Sequence, residues 1–386
     1  MKINQLHTLV NTVTQEVLGD TGLVQEDLSN LVDIGNEIVD SDNVDNYVKK
    51  LVNHIGKVVF TNRVYSGSVP SIMMDSWEFG SILEKISADL PVAKENDSWQ
   101  LTDGTVYEQD TFHQPKVSAK FFNSKVTFEI PMSFTELQVK ESFSNAEQLN
   151  GFISMIVNSI ENSMTIKLDS LVMRTINNMI GETILDDTTG VRAVNLLEMY
   201  NTEYTETLTS DKALKDSNFV RYASYVIGLY IDRLSKISTL FNAGGKERFT
   251  PSDLLHVVLL SEFEKSSATF LQSDTFNKEL VALPKHETVP YWQGSGTTYN
   301  FADTSSINVK LNSDTGSPDR VVNQSGIIGV MFDRDAIGVT NLDRRVTTHY
   351  NAKAEFYNNY YKFDAGYYND LNENFVVFYL GDEAGE

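Results

Sequence analysis

The longest regular pattern in the chain is helical. Leu149, Phe152, Ile153, Ile156, Val157, Ile160, Met164, Leu168, Leu171, Val172, Ile176, Met179 and Ile180 recur at spacings of three and four, the period of one helix face. Ser144-Asn145-Ala146-Glu147 precedes them, a capping-box pattern whose serine and glutamate side chains satisfy donors left free in the first turn. Gly181 stands where a C-terminal stop is expected. The pattern predicts a helix over 145–180, on the order of 50 Å long at about 1.5 Å per residue. A rod of that length cannot bury its own apolar stripe, so the rest of the chain must be arranged along it.

The preceding residues fall into two parts. Residues 1–61 read as three amphipathic helices carrying Leu6, Leu9, Val10, Val13 and Val17, then Leu28, Leu31, Val32 and Ile38, then Val44, Tyr47, Val48, Leu51, Val52, Ile55, Val58 and Val59. Gly19 marks the end of the first. Helices this short need a partner surface, supplied either by a local helical subdomain or by a neighbouring subunit. Residues 62–124 are turn-rich, with isolated large apolar groups. The leg from Lys116 to Ile130 alternates: Val117, Ala119 and Phe121, then Val126, Phe128 and Ile130. This is the period-2 pattern of strands with one covered face, broken at Asn123-Ser124 and ended by Pro131.

After Gly181 a second unit begins. A helix is expected from Ser217 to Phe241, closed by Gly244-Gly245, followed by a buried strand at Leu254–Leu260 and a helix from Glu262 to Leu271. Residues 282–319 read as a polar surface loop, Ile327–Phe332 as a strand, and the tail as about three long antiparallel strands with turns at Asn341, Ala365-Gly366 and Asn372.

Chemistry is hard to find in this sequence. There is no cysteine, which excludes disulfides, thiolate nucleophiles and cysteine-based metal sites. The six histidines, His7, His54, His113, His256, His286 and His349, show no metal-ligand spacing. Gly294-Ser295-Gly296 lacks the strand and helix of a phosphate loop, and Asp314 to Asp319 lacks the spacing of a calcium loop. The pairs Asp186-Asp187 and Asp333/Asp335 read as solvated acids near turns. A net charge of −22 argues against general nucleic-acid affinity. No apolar run reaches the roughly 20 residues of a membrane span, and Met1-Lys2-Ile3-Asn4-Gln5 does not open a signal peptide. A soluble acidic protein made in the cytoplasm is expected, with no catalytic residue, cofactor or metal.

The order of parts carries more. Lys125-Val126-Thr127-Phe128-Glu129-Ile130-Pro131-Met132-Ser133-Phe134-Thr135-Glu136-Leu137, then Glu141-Ser142-Phe143 and the capped helix, resemble a segment of the major capsid proteins of tailed bacteriophages with the HK97-type fold. There a strand leaves an extended loop, a proline and a turn follow, and the spine helix begins. Val257 to Phe263 and Ile337-Gly338-Val339 are similar to further landmarks of that family.

The resemblance implies an α+β, HK97-like fold divided as follows: 1–61 a helical N-terminal arm, 62–124 an extended loop, 125–181 a peripheral domain with spine helix 145–180, 182–340 an axial domain, and 341–386 strands returning to the peripheral domain. It implies a structural, non-enzymatic subunit forming pentamers and hexamers of an icosahedral virion shell, assembled in the host cytoplasm. Double-stranded DNA would be enclosed without specific binding, alongside a separate scaffolding protein, a portal and a decoration protein. Trp77, Phe79, Leu83, Leu90 and Trp99 would be intersubunit contacts, since exposed apolar groups favour aggregation in a lone monomer and anchor an interface in an assembly. The arm shows no evident cleavage site. Lys85 and Lys94 lie in the loop, but no residue-level match carries over the founding member's lysine–asparagine cross-link. An encapsulin-like compartment shell is the alternative within the fold; a soluble acidic enzyme or binding protein is the alternative outside it.

Overall fold

A computed structural model describes residues 3–19, 24–25, 29–40, 44–61, 69–74, 83–91, 93, 95–96, 98, 100–107, 110, 112–142, 144, 146–273, 285–294, 302–311 and 320–381. Its axis is helix α5, Ala146–Asp186, 41 residues long, about 60 Å at the usual rise, and preceded by the short helix α4 (Glu136–Ser142). Leu149, Ile153, Ile156, Ile160, Met164 and Leu168 are buried along one side. From Leu171 onward Val172, Met173, Thr175, Ile176, Asn177, Met179 and Ile180 are buried as well, so the second half is enclosed on several sides.

The helix does not stop at Gly181. A Cβ there would lie 3.4 Å from the Val309 Cβ, so the glycine admits strand β10 (Ile307–Leu311) against the helix. The expected start also differs in detail. The Ser144 hydroxyl bonds the Glu141 carbonyl at 2.8 Å and the Gln148 amide oxygen, contacts other than those of the expected capping box.

Two sheets flank this axis. The first has β1 (Met73–Met74), β13 (Ile337–Asn351), β14 (Phe356–Asn369) and β4 (Lys125–Thr135) in the order β1-β13-β14-β4. Strand β4 runs through Pro131, which lies opposite Tyr360. The missing N–H is tolerated because β4 is the edge of the sheet. Its alternation places Phe128, Ile130 and Phe134 inward. The turns expected at Asn341 and Ala365-Gly366 lie inside strands instead: a register shift follows Asn341, and Ala365 and Gly366 are paired on both sides. The connection falls at 352–355, where the Asn351 side chain accepts from the Lys353 and Ala354 amides at 3.1 and 3.2 Å, an Asx turn.

The second sheet has β5 (Ala193–Asn195), β15 (Phe375–Tyr379), β12 (Ile327–Asp333), β6 (Leu255–Leu260) and β7 (Glu287–Val289) in the order β5-β15-β12-β6-β7. The strands after residue 341 therefore separate: β13 and β14 join β4, whereas β15 lies in the second sheet. Around it pack α6 (Leu196–Tyr204), α7 (Ser210–Ala213), α8 (Ser217–Leu234) and α9 (Ser261–Ser273). Asp216 caps α8, accepting from the Asn218 and Phe219 amides. That helix ends at Leu234, short of Phe241, because the Thr250 amide takes the Leu234 carbonyl at 2.8 Å.

Residues 282–319 are more than a surface loop. Trp292 is fully buried. Its indole N–H donates to the Ile327 carbonyl at 2.8 Å and its carbonyl accepts from Asn177 of α5 at 2.7 Å. Strand β8 (Gln293–Gly294) pairs with β9 (Ala302–Thr304), and β10 pairs with β11 (Arg320–Gln324) against α5. Two of the acids expected in solvent are structural. Asp333 is buried and accepts from Thr250 Oγ1 at 2.8 Å. Asp187 accepts from the backbone amides of Thr189, Arg192 and Ala193, which outweigh its partial burial and hold its carboxyl down to about 2.

Of the two partners open to the N-terminal helices, the chain itself supplies one. Helices α1 (Ile3–Leu18), α2 (Leu31–Asp40) and α3 (Val44–Thr61) pack on each other, and α3 also meets β13 and α5. Val10, Val13, Tyr47, Val48 and Val52 are fully buried. Gly19 ends α1 with a φ of 72°, as a left-handed cap requires.

Trp292→Ala should cost about 3–5 kcal/mol through the cavity and the stranded Ile327 carbonyl, read as a lowered midpoint in denaturant unfolding.

Candidate functional site

Strands β2 (Leu83–Ala88) and β3 (Val117–Phe122) form an antiparallel hairpin outside both sheets. Its two faces differ. The outer face carries Glu84, Ile86, Ala88, Val117, Ala119 and Phe121, all exposed; Ile86 is 66%, Val117 62% and Phe121 64% exposed. Ile86 lies opposite Ala119, and Ala88 opposite Val117, so apolar groups adjoin across the ladder. Further apolar groups are bare in the segment between the strands, at Leu90, Leu101, Val106 and Phe112. Burying a Val, Ile or Phe side chain contributes about 1.5–3 kcal/mol each, and here that term is unused.

The inner face is charged. Lys85 and Lys120 sit directly opposite one another, an arrangement that repels across a strand pair. Asp370, whose side chain is 2% exposed, enters between them: one carboxylate oxygen lies 3.0 Å from Lys85 Nζ and the other 2.9 Å from Lys120 Nζ. Glu373 takes Lys85 at 2.7 Å. Burial alone would pull the Lys85 ammonium down, but Glu373 and Asp370 hold it above its ordinary value. Burial likewise pushes Asp370 up, and Lys120 and Lys85 bring it below the ordinary carboxylate value. The Phe122 ring packs at a tilt on Tyr368, with ring centroids 4.9 Å apart.

The expected contact residues are distributed unevenly. Leu90 is exposed, while Leu83 is half-buried on the inner face, opposite Phe122. Trp77, Phe79 and Trp99 lie outside the described residues, as do Lys94, Ser295, Gly296 and residues 314–319. Val117 and Phe121 were signalled by the alternation of the strand pattern, which marks a covered face without saying what covers it; Ile86 carried no such signal and joins that face by pairing opposite Ala119. His256 serves packing, stacked on Phe332 at 5.6 Å. Among the described residues no group of three His, Asp or Glu could hold a metal ion, and no helix is long and apolar enough to cross a membrane.

The hairpin is thus set on an α+β body whose long helix α5 follows the return strand β4, and a sequence comparison gives the chain a family. Residues 10–379 match the model of the Phi29-like phage major capsid protein family. The chain belongs to that family. It is a structural subunit of a phage capsid shell, found in the virion, and not an enzyme. The fold agrees. The capsid structure of Staphylococcus phage Andhra is 9% identical with a TM-score of 0.51, over 83% of this chain and 86% of that one. The structure of head fiber and inner core protein gp22 of native bacteriophage P68 is 9% identical with a TM-score of 0.50, over 84% and 86%. No curated protein matches the sequence. The architecture is thus the HK97-type capsid fold, and the capsid subunit assembles with copies of itself into a multimeric shell.

Asp370→Asn leaves Lys85 and Lys120 opposed with no carboxylate between them. It should destabilise the capsid subunit by about 1–3 kcal/mol at pH 7, a buried-pair loss discounted because both lysines reach water. The Asp370 carboxyl is lower when folded than its unfolded value of 3.8, so its contribution is complete above that pH and fades as pH falls through the folded value. Urea titrations at pH 7 and pH 3 should therefore show the gap between wild type and variant narrowing in acid.

Proposed function

We propose that the outer hairpin face is the surface by which one capsid subunit engages the next. Its apolar area is exposed among the described residues, and in a shell a neighbouring copy is always adjacent. Ile86, Val117 and Phe121 form the centre of the contact, with Leu90 extending it. Trp77, Phe79 and Trp99 belong to the same segment by sequence. Leu83, turned inward, supports the hairpin. The single observation that carries this reading is the exposure of an apolar strand face in a protein whose family builds closed assemblies.

The shell so formed groups its copies as pentamers and hexamers. The unit around the β5-β15-β12-β6-β7 sheet lies toward the symmetry axes, and the unit around α5 and the β4 sheet lies at the periphery. Residues 62–124 are the extended loop. Assembly takes place in the host cytoplasm with a separate scaffolding protein and a portal, and the finished shell takes a decoration protein. The shell encloses double-stranded DNA without gripping it. The net charge of −22 supports that last point, because an acidic wall repels phosphate.

Phe121→Asp and Ile86→Asp test the contact. Both positions are exposed, so the subunit's own unfolding midpoint should move little, by about 0.5 kcal/mol or less. Shell yield by sedimentation and electron microscopy should fall at least about ten-fold, the effect of losing roughly 1.4 kcal/mol per contact. Normal shells from both variants would remove the proposal. Gel-shift titration of the purified subunit with duplex DNA at moderate salt should show no retardation.

A further inference from the structure

The charged inner face of the hairpin meets the body at a particular place. Besides the passage through α5 from β4 to β5, the chain crosses between the two sheets by two short segments, after β12 at 334–336 and after β14 at 370–374. The two crossings are bonded together: the Asp370 amide donates to the Ala336 carbonyl at 2.8 Å, and the Asp333 amide to the Asn374 carbonyl at 3.0 Å. Lys85 reaches both, ion-pairing with Asp370 and Glu373 of one and donating to the Asp335 carbonyl of the other at 3.3 Å. From the second sheet's helical unit, the loop after α8 adds two cations. Arg248 lies 3.3 Å from Glu373, and Lys246 lies 2.8 Å from Asp89, just beyond the end of β2.

We propose that this ionic junction is a latch: it fixes the pose of the β2–β3 hairpin by charge and couples that pose to the two short crossovers between the sheets. The inference rests on the reading of the hairpin as the intersubunit surface and supplies the means by which that surface is aimed. Three features support it. An opposed lysine pair is unfavourable in a free hairpin, so the strand pair is matched to a carboxylate that only the body provides. The ion pairs come from both strands and from the residue after β2, and contacts in several directions determine an angle where one contact would act as a swivel. Finally, α5 and the sheets are held by apolar burial, which screening leaves intact, whereas the hairpin has, among the described residues, one ring contact with the body, Phe122 on Tyr368 at its end, and is otherwise oriented by lysines whose side chains are 23% and 39% exposed. Salt weakens partly exposed pairs selectively.

The absence of cysteine permits a direct test. Spin labels at Ala119→Cys on the hairpin and Thr347→Cys on β13, both exposed positions, report the hairpin–body distance in the unassembled full-length subunit by pulsed electron resonance. A narrow distribution is expected at low salt. It should broaden about two-fold or shift at about 1 M salt, where the screening length falls to about 3 Å, and broaden likewise at low salt in Lys85→Gln/Lys120→Gln. Unchanged distributions at high salt overturn the latch, and because that arm uses the native lysines it stands even if the double variant does not fold. A folded double variant with the wild-type distribution overturns it equally. Shell yield in Phe121→Asp reports on the covered face alone, and the distance measurement on the latch alone, so the two readings fail separately.

Discussion

Burial of one 41-residue helix organises everything else. An isolated rod with an apolar side is unstable in water, and its partners have to come from along its full length. The chain recruits them from distant segments: α3 from the N-terminal helices, β4 from shortly before the helix, and β10, β11, β13, β14 and β15 from the last fifth or so of the chain. Each segment is therefore placed relative to the helix first and to its sequence neighbours second. This explains how β14 and β15, separated by a five-residue connection, can belong to different sheets. It also explains why Gly181 is used for close approach by Val309 when helix termination would be the ordinary use of a glycine there.

A fold of that kind has a weak point wherever the chain leaves one sheet for the other, because backbone polar groups are there without a ladder. The crossings satisfy each other and recruit side chains: Asn374 donates to the Thr250 hydroxyl at 3.1 Å, Thr250 donates to Asp333, and Asp333 accepts the Asp335 amide at 2.9 Å. Such buried networks are strong when complete and costly when broken. Placing the root of the hairpin on that network concentrates the polar specificity of the subunit in one region. The bare apolar face is left to supply area, which is non-directional.

Much of this was legible from residue patterns, and the misses share a cause. The long helix, the buried strand at Leu255–Leu260 and the alternation of Phe128 and Ile130 are all periodic and local, so each could be read without knowing its partner. Pro131 and Gly181 misled because their usual meanings assume an interior strand and a free helix end; one lies on a sheet edge and the other under a crossing strand. Trp292 was hidden because its surroundings are polar in sequence, while its burial depends on Asn177 and Ile327, more than thirty residues away in each direction. Asp333 was hidden likewise, its hydroxyl partner Thr250 lying 83 positions earlier.

The hairpin exposes a deeper limit of pattern reading. Val126, Phe128 and Ile130 and, just before them, Val117, Ala119 and Phe121 show the same period-2 alternation, and each set predicts one covered face. Folding covers the first set and leaves the second bare. The alternation is equally sincere in both, since the physical demand it records is removal from water, whichever molecule supplies the cover. In a subunit whose family assembles into shells, the difference between the patterned face and the face that a single chain manages to bury marks what has been left for a neighbour. Val117 and Phe121 are such residues, and Ile86 adjoins them through its pairing opposite Ala119, whereas Leu83, large and apolar in the same strand as Ile86, is turned toward its own subunit.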